Sequence, residues 1–323
     1  MLYYFYELIM NIPMKFSKKS NILISGAGGG FDFLCGLPLA YELEIQGHSV
    51  IYSNYSFTEL NSVDCECVRE GLYKVTSLSK LKNGTYFPEG LFAEWLSKNN
   101  RRKTPIYCYK NIGVLPLIDY FNIIYDLHKI NVIIIIDGGV DGIFRGDEYD
   151  LGTPSMDSIS MIAANKSNIK EKYYVMTAFG SEGVGQEISH AEVLERISEL
   201  VKKDAYYGVT GLVKNSIVGK YFVNAVKYIF DKMNNHQHSN IVCSILKSID
   251  GEFGFRAVNV KTEINPIWIS AFTSMYWFFD LDKTVKMKLF YNQALKTSTI
   301  QEISELIDCC RKSNNKIKMP IPI

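Results

Sequence analysis

NILISGAGGGFDF, residues 21–33, is the stretch on which the fold turns. A short apolar run, NILIS (21–25), stops at a cluster of glycines, as expected of a buried parallel strand entering a tight turn. FLCGLPLAYELEIQG (33–47) follows with apolar positions at helical spacing, and Gly47 reads as its C-terminal cap. HSVIYSNYS (48–56) is the next strand. Strand, glycine loop, helix and strand in this order form a βαβ unit.

The remainder alternates in the same way. Residues 62–75 read as a strand or hairpin, and KNGTYFPEG (82–90) as a loop before the amphipathic LFAEWLSK. A strand is expected at 105–110 and a helix at 116–130. NVIIIID (131–137) is the strongest strand signal, its run of Ile and Val suiting a central parallel strand covered on both faces. Then come a polar loop, a helix at 155–165, a strand at 172–180 and a helix at 190–203 with Ser189 as N-cap. A helix at 215–233, a strand at 240–249 and an aromatic strand region at 266–280 follow. TIQEISELIDCCRK (299–312) closes the chain as a helix, with Thr299 and Glu302 set as a capping box. The pattern predicts an α/β, three-layer Rossmann-like fold with a mainly parallel central sheet. It is read as one domain over 21–323 after an N-terminal extension, 1–20.

The bulk properties narrow the class. The chain has 323 residues, 47% hydrophobic and 21% charged, with a net charge of +1. That balance is ordinary for a globular enzyme and favours neither nucleic acid nor an anionic membrane. The basic RRK (101–103) reads as a solvated loop. The cysteine count is odd, seven, with no disulfide or zinc spacing, as for free thiols in a cytoplasmic protein. MLYYFYELIMNIP (1–13) is apolar but lacks a basic leader and a small-residue cleavage site, and is too short to span a bilayer. Met14 reads as a natural start just ahead of the first strand.

Three phosphate-binding templates test the glycine loop. The dinucleotide fingerprint G-x-G-x-x-G is met at Gly26 and Gly28 but has Phe31 at its third position, and the second strand ends Ser53-Asn54-Tyr55 without an acid. A nicotinamide-dependent oxidoreductase is therefore the least favoured reading. The triphosphate P-loop fails because no Lys follows Gly30. The S-G-G-x-D-S loop of adenylating enzymes is matched only at Gly29, Gly30 and Asp32. What remains is a strand-to-helix turn whose N–H groups and helix dipole favour an anion, with Gly26, Gly28, Gly29, Gly30 and Asp32 as ligand-binding residues. Asp32 either holds a metal or sugar hydroxyl, or caps the helix that it begins.

A second constellation is IIIIDGGVDGIFRGDEYDLGTPSMDSIS (133–160). Ligands of open α/β sheets lie beyond the carboxyl ends of the strands, so this loop and the glycine loop are expected to face one crevice. Its carboxylates suit Mg²⁺ or another divalent cation, with Asp137, Asp141 and Glu148 as ligands. Asp141, Arg145 and Asp147 are the catalytic candidates, Arg145 balancing charge. Asp157 reads as part of the first turn of the next helix. AFGSEGVGQE (178–187) could close the crevice with Ser181 and Glu182. His236 and His238 read as an exposed loop pair.

GAGGGFD (26–32), DGGVDGIFRGDEYDLGTPSMD (137–157), FGSEG (179–183), GEFGFR (251–256) and WFFD (277–280) together resemble the family catalogued as domain of unknown function 1152. The resemblance runs from about residue 20 to 310, and RGDE and LGTP are its most specific parts. It implies an α/β fold and a shared site but no reaction. The expected function is a cytoplasmic enzyme acting on a phosphorylated or nucleotide-like small molecule by metal-assisted hydrolysis or group transfer. The rival from another class is a non-catalytic nucleotide-binding or sensing module. The expected partner is a small anionic ligand, with a homo-oligomer as a further expectation.

Overall fold

The computed structural model describes residues 10–16, 19–100, 104–110, 112–148, 152, 154–182 and 188–312. RRK (101–103), Asp150 and the 183–187 part of the third glycine-rich turn lie outside them. Nine strands form the main sheet: β1 Asn21–Gly26, β2 Ser49–Tyr55, β3 Glu66–Arg69, β4 Leu72–Val75, β5 Ile106–Tyr109, β6 Val132–Asp137, β7 Glu171–Met176, β8 Tyr206–Gly211 and β9 Met275–Asp280. Their order across the sheet is β8-β9-β7-β6-β1-β2-β5-β4-β3. The five middle strands, β7-β6-β1-β2-β5, are parallel, and β9, β8, β4 and β3 extend them antiparallel at the two edges.

Burial on both faces explains the central strands. Ile22 and Ile24 of β1, with Val132, Ile134 and Ile136 of β6, enter one core. Leu23, Ile133 and Ile135 enter the other. Each such side chain removed from water is worth roughly 1.5–3 kcal/mol, which is why an unbroken Ile/Val run settles in the middle of a parallel sheet. Helices α1 Asp32–Cys35, α2 Leu37–Ile45 and α3 Pro88–Asn100 cover the first face. α4 Val114–His128, α5 Ser155–Lys166 and α6 His190–Lys202 cover the second. α7 Ile217–Phe230 and α8 Asn240–Ile249 return to the first face. α9 Leu281–Val285, α10 Tyr291–Ala294 and α11 Ile300–Lys312 lie on the second.

This route positions the site. From β1 the chain winds outward to β2 and β5 over one face, then crosses back to β6 beside β1 and continues to β7 over the other. Gly26 pairs with Ile136, so the glycine loop and the Asp137 loop leave the sheet side by side and diverge to opposite faces.

Several elements form as their local chemistry requires. Ser189 caps α6 by accepting the Glu192 N–H at 3.4 Å, and Glu302 accepts the Thr299 N–H at 2.9 Å while Thr299 Oγ1 accepts from Glu302. The expected 33–47 helix is divided at Gly36, where a Cβ would stand 2.5 Å from Ile24 Cγ2. Gly36 thus provides the close helix–strand approach that Phe31 could not. Residues 240–249 are a helix rather than the expected strand. Ile241, Val242, Ile245, Leu246 and Ile249 recur at helical spacing, and Ser239 caps the N-terminus. The 266–280 region is divided too: Ile267–Ile269 pairs with Gly254–Arg256 off the sheet, and only β9 joins it. Within the expected N-terminal extension, Met10, Ile12 and Met14 are buried in the first core, and the Met10 N–H donates to Glu42 Oε2 at 3.3 Å.

Candidate functional site

The glycine loop is tied down by its neighbours. Ala27 N–H donates to the Ile136 carbonyl at 2.9 Å and Gly30 N–H to the Tyr55 carbonyl at 3.0 Å. Gly29 and Gly30 have φ of +95° and +61°, a conformation that glycine adopts without strain. Gly28 N–H donates to Asp32 Oδ2 at 2.6 Å. Asn54, at the end of β2 where a dinucleotide enzyme carries an acid, donates through Nδ2 to the Gly30 carbonyl and to Glu89 Oε1, both at 2.9 Å. Glu89 is wholly buried, and burial raises its carboxyl above its ordinary range. The Ala27, Gly28 and Gly30 amides are therefore already occupied, and the one that reaches a carboxyl, Gly28, reaches that of Asp32.

Around this loop stands a cluster of carboxylates. Asp32, Asp137 and Asp157 are buried, and each places an oxygen within 4.8 Å of the others. Asp137 Oδ2 accepts from Tyr174 Oη at 2.6 Å and from the Gly142 N–H at 3.0 Å, which fixes its orientation. Asp157 enters from the first turn of α5, and a Cβ at Gly28 would stand 2.7 Å from its Oδ1. A Cβ at Gly138 would likewise stand 2.5 Å from Asp32 Oδ1. Two glycines thus leave the room in which these carboxylates stand.

Burial and mutual repulsion govern their protonation. Burial first, with the Asp141 charge adding to it, pushes Asp32 up to about 7. Asp137 and Asp157 are raised well above the ordinary carboxylate range, again by burial first and then by Asp141. Glu182, whose Oε1 accepts from the Val140 N–H at 3.0 Å, is pushed by burial and by Asp141 up to about 8. Lys288, far along the chain, is buried and donates to the Gly142 and Phe144 carbonyls at 2.9 and 3.0 Å. It anchors the turn Asp141–Ile143, and burial lowers its ammonium to about 8. No local motif marks Lys288 in the sequence.

Asp32, Asp137, Asp141, Asp157, Ser181 and Glu182 line one cleft of about 720 Å³, together with Gly28, Gly29 and Gly30. Gly26 does not line it; a Cβ there would run into Asn54 Oδ1. Arg145, Asp147 and Glu148 do not line the cleft. Arg145 pairs with Asp147 at 3.6 Å and Glu199 at 3.8 Å. Glu148 accepts the Arg145 and Gly146 N–H groups, both at 2.9 Å, and lies 3.8 Å from the buried Arg196 Nε. One loop thus supplies two clusters, and Asp157 stands in the first where the sequence placed Glu148.

Part of the lining is also one the sequence did not assemble. His236, His238, Lys261 and the first turn of α8 line the cleft too, and Ile241 of that turn stands beside Asp32, its Cγ2 3.2 Å from where a Gly138 Cβ would be. His236 is exposed as expected, but His238 is half-buried and stacks on Phe230 with ring centres 4.0 Å apart.

The donor set is all oxygen, the kind that Mg²⁺ or Ca²⁺ prefers, and the three carboxylates are close enough to share one ion. Comparison with known proteins adds one finding: the model of the family described as "Protein of unknown function (DUF1152)" matches residues 99–311. The match takes in Asp137, Asp141, Asp157, Glu182 and the α8 wall, and begins well after the glycine loop, later than the expected residue 20. No curated protein and no solved structure matches the chain.

Proposed function

Because the chain belongs to the DUF1152 family of proteins of unknown function, its chemistry is read from the site; we propose that it is a cytoplasmic enzyme that acts on a phosphorylated or nucleotide-like small molecule by divalent-cation-assisted hydrolysis or group transfer. The observation that carries this reading is the mutual approach of Asp32, Asp137 and Asp157 within 4.8 Å at the base of the cleft. The parallel strands support a Rossmann-like reading of the fold. In chain order they run 3-2-1-4-5, and the cleft opens between β1 and β6, where the winding reverses.

Asp32, Asp137 and Asp157 would hold the cation. When bound, the cation supplies charge stabilisation to a phosphoryl oxygen and acidity to a water molecule. Tyr174 keeps Asp137 turned toward the cluster. Glu182, which burial and Asp141 push up to about 8 in the cation-free chain, would be the proton donor to a leaving oxygen. Asp141, which lines the same cleft, would accept a proton. The test is a calorimetric titration with Mn²⁺ and Mg²⁺, followed by turnover assays on phosphorylated metabolites with wild type, Asp141→Asn and Asp157→Asn. Metal-dependent turnover lost in both variants is expected. Turnover unaffected by either substitution rejects the assignment, and ligand binding without turnover makes the chain a binding module instead.

A further inference from the structure

Along the glycine loop the cleft changes character. A Cβ at Gly28 would meet the Asp157 carboxylate, whereas at Gly29 and Gly30 it would stand 3.1 Å from Phe57 Cε1 and 2.9 Å from Phe57 Cε2. The Cα atoms of Gly28 and Gly30 are at most about 7 Å apart. Phe57 lines the cleft and is 56% exposed, while the other apolar side chains of the lining, Phe31, Tyr86, Met156 and Ile241, are buried or half-buried.

Its neighbours in the chain hold Phe57 in this position. Ser56 and Thr58 are both buried. The Ser56 N–H donates to the Tyr109 carbonyl at 2.7 Å, the Thr58 N–H to Ser56 Oγ at 3.1 Å, and Thr58 Oγ1 to Glu89 Oε2 at 3.1 Å. Glu89 also receives Asn54, which supports Gly30, so one buried carboxyl secures both the loop and the residue after Phe57. A phenylalanine in water forgoes the gain of burial, and here a bonded polar frame on either side leaves its ring in the cleft. The lining beside it is aromatic too. Phe31, next to Gly30, meets the Tyr86 ring edge-on with centres 6.1 Å apart, and both line the cleft. The chemistry read above uses none of these rings.

We propose, resting on that reading, that Phe57 is the platform on which a nucleobase stacks, so that the substrate is a nucleoside phosphate rather than a sugar phosphate. With the phosphate at the carboxylate end, the pentose spans the stretch from Gly28 to Gly30 and the base lies on the exposed part of the Phe57 ring. Aromatic rings gain from offset stacking, and every base has a π-face, so the platform favours a base without choosing among bases.

Calorimetry on the full chain in saturating Mg²⁺ compares AMP, GMP, CMP and UMP with ribose phosphate, and a separate titration uses Mn²⁺ alone. Wild type is expected to bind at least one nucleotide roughly tenfold or more tightly than ribose phosphate, the worth of one base–aromatic stack. Phe57→Ala is expected to lose that margin while keeping its affinity for Mn²⁺ and ribose phosphate and its melting temperature. Phe57→Tyr, which retains a ring, is expected to keep the margin. Three results overturn the base subsite: a wild type that binds Mn²⁺ but prefers no nucleotide to ribose phosphate, an undiminished margin in Phe57→Ala, or a margin lost equally in Phe57→Tyr. Failure of the wild type to bind Mn²⁺ overturns instead the function on which the proposal rests.

Discussion

Asp32 Oδ2 accepts the Gly28 N–H at 2.6 Å, so the acid that follows the glycine loop folds back and fills the cradle that the loop makes. The site is thereby built around carboxyls whose ionisation burial opposes, and a cation is the group that would favour their charged form.

Replacing Asp32 by Asn separates stability from function. The amide oxygen still accepts the Gly28 N–H, while a charge that burial and Asp141 oppose is gone. At pH about 8 the cation-free variant is expected to melt a few degrees above wild type, and its Mn²⁺ affinity to fall by roughly tenfold or more. Calorimetry and thermal melts read the two effects, and a variant that binds Mn²⁺ as wild type does removes Asp32 from the cation site.

The two acidic clusters are expected to respond differently. Asp157→Asn abolishes tight Mn²⁺ binding with little loss of stability. Glu148→Gln leaves Mn²⁺ binding intact but costs about 1–2 kcal/mol, because the amide can accept only one of the Arg145 and Gly146 N–H groups that the carboxylate now holds, while Arg196 keeps its shorter pairs to Glu195 and Glu199. Arg145→Ala, whose ion pairs are long and partly exposed, changes stability by about 1 kcal/mol or less. Denaturant unfolding beside metal titration checks all three, and loss of Mn²⁺ binding in Glu148→Gln would return that residue to the cation site.

Stability should depend on pH in a stated direction. Asp32 and Glu182 titrate near 7 and 8 in the folded chain, against ordinary values of 3.8 and 4.5. Between those limits the folded state holds protons that the unfolded chain has released, so stability is greatest on the acid side and falls as pH rises toward about 8. Mn²⁺ competes with the same protons, and its affinity rises over the same range. Melting temperatures across that window, with and without Mn²⁺, test both trends; a cation-free melting temperature that climbs with pH contradicts the first.

Asn54 supports the loop as a donor, and an acid cannot take its place. Asn54→Asp sets a carboxylate against the Gly30 carbonyl and the Glu89 carboxyl, both of which now receive Nδ2. A loss of about 2–4 kcal/mol is expected in denaturant unfolding. An unchanged midpoint would mean that Asn54 does not hold the loop.

Features written within a few neighbouring residues were legible in the sequence. The Ile/Val run of β6, the glycines of the turn after β1, the Ser189 cap and the Thr299–Glu302 box follow from periodicity and local hydrogen bonding, and each stands where it was expected. Residues 240–249 were misread because a ten-residue apolar run suits a buried strand as well as a helix. The Ser239 cap and the helical recurrence of Ile241, Ile245 and Ile249 were the signals that decide it.

The membership of the site was a different matter. Asp137, Asp141 and Glu148 share a loop, but the backbone turn at Gly146, with φ of +108°, and the buried Arg196 accompany the diversion of Glu148 into a structural cluster. Asp157 joins the site from the helix that ends the same loop, and Lys288 and Lys261 join it or its supports from far along the chain. The sequence by itself determined the five parallel strands, the turns between them and most of the helices, because those choices rest on contacts a few residues apart; β8 and the 240–249 helix were not among them. Only the tertiary structure decided which carboxylates meet and which keep their protons, because proximity follows from the order of strands in the sheet and protonation from burial.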